Sequence, residues 1–213
     1  MTPASPLRLY RFQLSGHSHR AELLISLLRL PVTLIDVNLG EKAQKDPAFL
    51  ARNAFGQVPV LEDGSVTIAD SNAILVYLAS RYDERRRWLP TDVASAAQVQ
   101  RWLSAAAGPL VSGPAAARLV GLFNAGHDLS RAHRIADELF RVMDAHLIER
   151  DFFTGSSPTI ADVALYTYTA HAPEGHISLA PYRQIRGWLD RMTRLDGFVA
   201  MARSEPKHGS ISR

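Results

Sequence analysis

Residues 57–74 read QVPVLEDGSVTIADSNAI. Val58-Pro59 falls where a buried strand begins, and a proline has no N–H to give a sheet ladder, so it belongs at a strand's first residue, an edge or a bulge. Such a proline is a candidate for a cis peptide. A cis turn there leaves the backbone N–H and C=O of Val58 pointing outward, free to pair with an extended ligand. Asp63-Gly64 is a strong turn dipeptide and predicts a hairpin of residues 59–62 and 66–69. Asp70-Ser71 then opens the apolar run Ala73, Ile74, Val76, Tyr77, Leu78. The first turn of a helix has unpaired N–H groups and a positive dipole end, which suits a carboxylate. Taken alone, Asp70-Ser71 reads as a plain helix cap. With the Val58-Pro59 turn beside it, the pair reads as an anion site next to a peptide-like edge. That combination suits a small acidic peptide.

Upstream, residues 7–12 alternate as a half-buried strand and residues 15–19 form a polar turn. Residues 20–30 carry helical spacing through Leu23, Leu24, Leu27 and Leu28 until Pro31, and residues 32–37 are a β-branched strand. Strand, helix, strand at this spacing is a βαβ unit with parallel strands. A short helix over residues 46–51 and a helix over 71–82 complete a βαβ-α-ββα pattern. The α/β domain thus spans 1–82, and the charged stretch 83–92, with Arg85-Arg86-Arg87, reads as a linker. Residues 93–213 form an all-α domain, with helices expected over 94–107, 118–123, 129–148, 159–171 and 182–195. Thr159 with Asp162 three residues on reads as a capping box, Trp188 and Tyr182 as core anchors. The polar tail 206–213 reads as frayed.

The bulk numbers exclude several classes. A net charge of +3 without a basic stripe interleaved with aromatics does not argue for nucleic acid. The absence of cysteine removes disulfides and thiolate metal sites, no metal is expected, and the composition fits a reducing compartment. No signal peptide and no stretch approaching membrane-spanning length is read, so the expectation is cytoplasmic, away from membranes.

Three motifs in this order and spacing carry a resemblance over nearly the whole chain. They are Asn53-Ala54-Phe55-Gly56-Gln57-Val58-Pro59-Val60-Leu61, Asp70-Ser71-Asn72-Ala73-Ile74 and Thr159-Ile160-Ala161-Asp162-Val163. The chain resembles the cytosolic glutathione transferases, most nearly bacterial members of serine type, and departs from the family's tyrosine and cysteine patterns at Ser15-Gly16-His17-Ser18. The resemblance implies a thioredoxin-like glutathione-binding domain, a helical domain that supplies an electrophile pocket, and a homodimer. Carried over by position, Val58 pairs its backbone with the cysteinyl part of glutathione and Pro59 is the cis proline. Ser71 holds the γ-glutamyl carboxylate, Asp70 faces the amino group, Gln57 is a further contact and Lys45 a looser candidate for the glycine carboxylate.

The family activates the glutathione thiol with a hydroxyl or thiol near the end of the first strand. Here that region reads Leu14-Ser15-Gly16-His17-Ser18-His19-Arg20. Ser15 is the first choice of thiolate donor, His17 the next, and Ser18 a third through side chain or backbone. Tyr10 reads as core, His19 as a surface residue and Arg20 as a solvated face. On the electrophile side Trp102, Leu103, Leu110, Arg118, Leu122 and Phe123 are candidates, with Trp102 and Arg118 foremost. Arg118 either meets an anionic substrate, reaches solvent or pairs with an acid. The leading function is conjugation of the glutathione thiolate to a small hydrophobic electrophile. Alternatives are glutathione-dependent isomerisation of a small dicarboxylic acid and a non-catalytic binding module.

Overall fold

The computed structural model describes residues 2–204, so the tail at 206–213 lies outside the described residues. Four strands, β1 (Leu7–Arg11), β2 (Val32–Asp36), β3 (Val60–Asp63) and β4 (Val66–Ala69), form one sheet in the order β2-β1-β3-β4. β1 and β2 are parallel, and the other two pairings are antiparallel. Side chains alternate faces along a strand. Leu7, Leu9 and Leu61 therefore join the main core with Leu23, Leu24, Ile74, Leu75 and Leu78, from α1 (Gly16–Leu27) and α3 (Ser71–Tyr82). Tyr10 and Val60 face the other way and pack with Val37 and Phe49, the latter on the short α2 (Pro47–Leu50). The fold is thus a thioredoxin-like α/β unit, followed by α4 (Val93–Ala107), α5 (Ala116–Phe123), α6 (Leu129–His146), α7 (Ile160–Ala170) and α8 (Arg183–Thr193).

Helix α7 is buried from Ile160 to Thr169 and is the hub of the second half. A helix apolar on all sides belongs in the interior. Its start is the expected capping box: Thr159 N–H donates to Asp162 Oδ2 (2.8 Å) and Ala161 N–H to Thr159 Oγ1 (3.3 Å). Trp188 is buried beside it, its ring 6.2 Å from that of Tyr166, and Tyr182 is buried against Phe140 of α6 at 5.4 Å.

Three expectations are corrected. Helix α1 begins at Gly16, not residue 20, because Ser15 caps it, accepting the Ser18 N–H at 3.2 Å. The polar Gly-His-Ser-His stretch is therefore its first turn. Between α4 and α5 the chain stays helical through a π-helical segment, Val111–Ala115, that contains Pro114. The missing proline N–H and a widened turn go together. The resulting rod, Val93–Phe123, is 31 residues and does reach membrane-spanning length and apolarity, against the sequence expectation. Half of its most apolar stretch is buried within the protein, as in a core helix.

Candidate functional site

A cavity of about 1040 Å³ opens between the sheet and the helical half. One wall comes from the sheet side: Phe12, Leu14, Ser15 and His17 after β1, then Gln57, Val58 and Pro59, then Asp70 and Ser71. The opposite wall is mostly apolar and comes from the π segment and α5: Val111, Ala115, Ala116, Leu119 and Phe123, closed by Tyr168 of α7.

The Val58-Pro59 peptide is cis. Asn53 steadies the loop before it, donating from Nδ2 to the Gln57 carbonyl at 2.8 Å. Asp70 caps α3 by accepting the Ala73 N–H at 2.9 Å, and does so from a backbone φ of +78°. A non-glycine residue at such an angle is strained by about 1–3 kcal/mol and persists where surrounding structure enforces it, often at ligand sites. Ser71 is buried at the helix start, with its Oγ 3.2 Å from His17 Nδ1.

Of the three candidates for the thiolate contact, the structure brings two to the cavity. Ser15 lines it, and among the described residues its Oγ is bonded only by the Ser18 N–H of the cap, which leaves the hydroxyl hydrogen available. His17 also lines it and is packed edge-on against Tyr168 at 5.1 Å. Burial, and then the Arg20 charge, pushes His17 down to about 3, so the ring is neutral at physiological pH. Ser18 turns away: it is 1% exposed and its Oγ accepts the Phe12 N–H at 3.2 Å. Gly16 lets this corner close, since a Cβ there would sit 2.7 Å from the Tyr168 ring.

Several other placements depart from the sequence reading. Lys45 lies outside the cavity, its Nζ donating to the Phe55 and Gly56 carbonyls at 3.2 Å each, while the neighbouring Gln44 lines it. Trp102 is in the helical core, 2% exposed and packed on Phe153 and His146 at 4.5 and 4.8 Å. It borders a separate, smaller hollow with Leu139. Leu103, Leu110 and Leu122 are likewise core. His19 is buried, not superficial, with Nδ1 2.8 Å from Thr167 Oγ1 and Nε2 3.0 Å from the Val199 carbonyl. Arg20 is buried as well, at 1% exposure. Arg118 does reach the cavity wall, but Glu174 neutralises it at 2.5 Å and its Nη1 donates to the Leu14 carbonyl at 2.8 Å. Of its open possibilities, pairing with an acid is the one realised.

Sequence reasoning missed Gln44, Val111, Leu119, His127 and Tyr168 as lining residues. Tyr168 had no local signal, because it lies in a helix buried along nearly its whole length.

The chain's relatives agree with this architecture. The family model described as "Glutathione S-transferase, N-terminal domain" matches residues 5–80, and "Glutathione S-transferase, C-terminal domain" matches residues 115–191. Glutathione S-transferase 3 of Zea mays is 30% identical over 207 residues, covering 91% of this chain and 92% of that protein. A glutathione S-transferase structure from Pseudomonas fluorescens superposes with a TM-score of 0.86 at 29% identity, over 92% of this chain and 99% of its own. A glutathione transferase homologue from Drosophila mojavensis, solved with bound glutathione, superposes with a TM-score of 0.80 at 26% identity, over 89% and 88%. With both halves matched in order and at nearly full length, the chain belongs to the glutathione S-transferase family and is a glutathione transferase.

Proposed function

We propose that the cavity holds glutathione extended along Val58 and Pro59 and joins its thiolate to a small hydrophobic electrophile. The observation that carries this is the meeting of Ser15, Val58, Asp70 and Ser71 on one wall with the apolar α5 residues on the other. In this reading residues 1–82 bind glutathione, 83–92 link, and 93–213 supply the electrophile wall. The γ-glutamyl carboxylate lies over Ser71 and the first turn of α3, and the ammonium faces the exposed Asp70 carboxylate. Ser15 donates its hydroxyl hydrogen to the sulfur, lowering the thiol from its ordinary value of about 8.5. The thiolate forms the new carbon–sulfur bond while the electrophile's leaving group departs with the electron pair. The family's usual homodimer and cytoplasmic setting belong to the same reading.

Retention on immobilised glutathione together with turnover of an aryl halide tests it. Turnover of a cis-enediacid without net loss of glutathione would replace conjugation by isomerisation. Retention without any turnover would leave a binding module. Ser71→Ala is expected to weaken glutathione binding by about 10–100-fold, the range for a hydrogen bond to a charged group. Unchanged affinity in calorimetry would remove Ser71 from the anion site.

A further inference from the structure

Two arginines are buried among the described residues, and they are treated differently. Arg118 has Glu174 as a counter-ion. Arg20 has none: among the described residues no carboxylate comes within ion-pair distance of it. Its guanidinium is held instead by neutral groups. Nη1 lies 3.3 Å from Ser71 Oγ and 3.1 Å from His17 Nδ1, and Nη2 lies 3.3 Å from the Ala106 carbonyl. Nε has no partner, and the Tyr168 ring sits 5.5 Å from the central carbon. An unpaired buried cation is costly, by several kcal/mol per ion in general. Burial accordingly lowers Arg20 to about 10, which still leaves it charged near neutrality.

The donor inventory fixes the rest of the cluster. A guanidinium only donates, so Nη1–H must be received by the lone pair of His17 Nδ1. The neutral ring then carries its proton on Nε2. With Nδ1 occupied, the Ser71 hydroxyl hydrogen is released for a ligand. Because Ser71 Oγ itself accepts from a cation, its O–H is a stronger donor. The arrangement has positive charge beneath the start of α3, and the carboxylate that acts on it, Asp70, does so through space without forming an ion pair.

We propose that Arg20 is a positioning residue whose missing counter-ion is the α-carboxylate of the γ-glutamyl head bound over Ser71. This rests on the glutathione reading of the cavity. Arg20 acts through Ser71 and His17, and the arriving carboxylate adds the close charge partner that Asp70, beyond ion-pair distance, does not supply.

The test compares wild type with Arg20→Gln and Arg20→Lys by calorimetry. Two ligands are used, glutathione and γ-aminobutyryl-cysteinyl-glycine, which lacks only the α-carboxylate. Arg20→Gln is expected to weaken glutathione by about 30–100-fold. The analogue should change by less than about threefold, because it brings no carboxylate to that end of the site. Arg20→Lys should keep most of the preference for glutathione over the analogue. Thermal stability of ligand-free Arg20→Gln should equal or exceed that of wild type, since an uncompensated buried charge is gone.

A purely structural arginine would behave otherwise: stability would fall and both ligands would weaken alike, and that result overturns the proposal. So does unchanged glutathione affinity. If wild type itself fails to bind glutathione, the glutathione reading fails, which is a distinct outcome. If Arg20→Gln does not fold, ¹⁵N spectra of wild-type His17 decide: an Nε2–H ring that does not titrate near neutrality supports the cluster, and an Nδ1–H ring overturns it.

Discussion

Replacing Asp162 by alanine is expected to cost about 3–5 kcal/mol at pH 7, the range for breaking a buried, hydrogen-bonded charge site. The side chain is fully buried and each oxygen accepts two hydrogen bonds. Oδ1 receives the Phe153 N–H and the Trp188 Nε1–H, both at 3.0 Å, and Oδ2 receives Thr159 N–H at 2.8 Å and Thr159 Oγ1–H at 3.3 Å. Alanine leaves these donors without acceptors at the start of the hub helix. For a chain of this size the midpoint of thermal unfolding should fall by roughly 10 °C or more.

The pH dependence carries an unusual sign. Burial raises Asp162 to about 6 despite its four donors. A carboxyl whose folded value lies above its ordinary one stabilises most at low pH, and that contribution is lost as pH rises through about 6. At about 1.4 kcal/mol per pH unit the interval is worth on the order of 3 kcal/mol. The margin of wild type over the alanine variant should therefore widen between pH 6 and pH 4. Urea titrations at the two ends measure it, and a margin that narrows toward acid would contradict the assignment.

Ser15→Ala is expected to lower turnover by about 100-fold, in the range for losing one donor to a developing or resident anion. Glutathione affinity should change by less than about threefold, because in the proposed arrangement the serine meets the sulfur and not the charged ends of the peptide. The variant also loses the α1 cap, about 1 kcal/mol of stability, which leaves it folded. The bound thiol should return toward about 8.5, so the rate of the variant should recover as pH is raised while wild type levels off. The thiolate's ultraviolet absorbance follows this directly. Turnover equal to wild type would transfer the role to His17, whose ring lines the same wall.

The parts of the fold legible in the sequence were those whose signals are local. The bounds of α3, the Asp63-Gly64 hairpin and the Thr159–Asp162 box each follow from a few adjacent residues with one mechanism. The first turn of α1 was not legible, because its polar residues are satisfied from elsewhere in the chain. His19 is bonded to Thr167, 148 positions away, and Arg20 to the Ala106 carbonyl, 86 positions away. Nothing near either residue announces those partners, so both read as surface. The apolar wall failed for a different reason. Trp102 and Leu119 belong to the same kind of helical stripe, and only the packing of α4 and α5 puts one in the core and the other at the cavity.

The hydrogen bond from Arg118 Nη1 to the Leu14 carbonyl joins α5 to the residue just before Ser15. Glu174 holds the guanidinium in turn, and Gly121 and Gly175 allow the backbones behind it to close, since a Cβ at either would lie 2.3 or 2.6 Å from the opposing chain. A single side chain thus works as a spacer between the two walls of the cavity, which on the proposed reading meet the electrophile and the sulfur. Reach across the cavity is gauged at one point. A helical half redesigned for a bulkier acceptor would have to move that point too, or the two reacting atoms would no longer come into range.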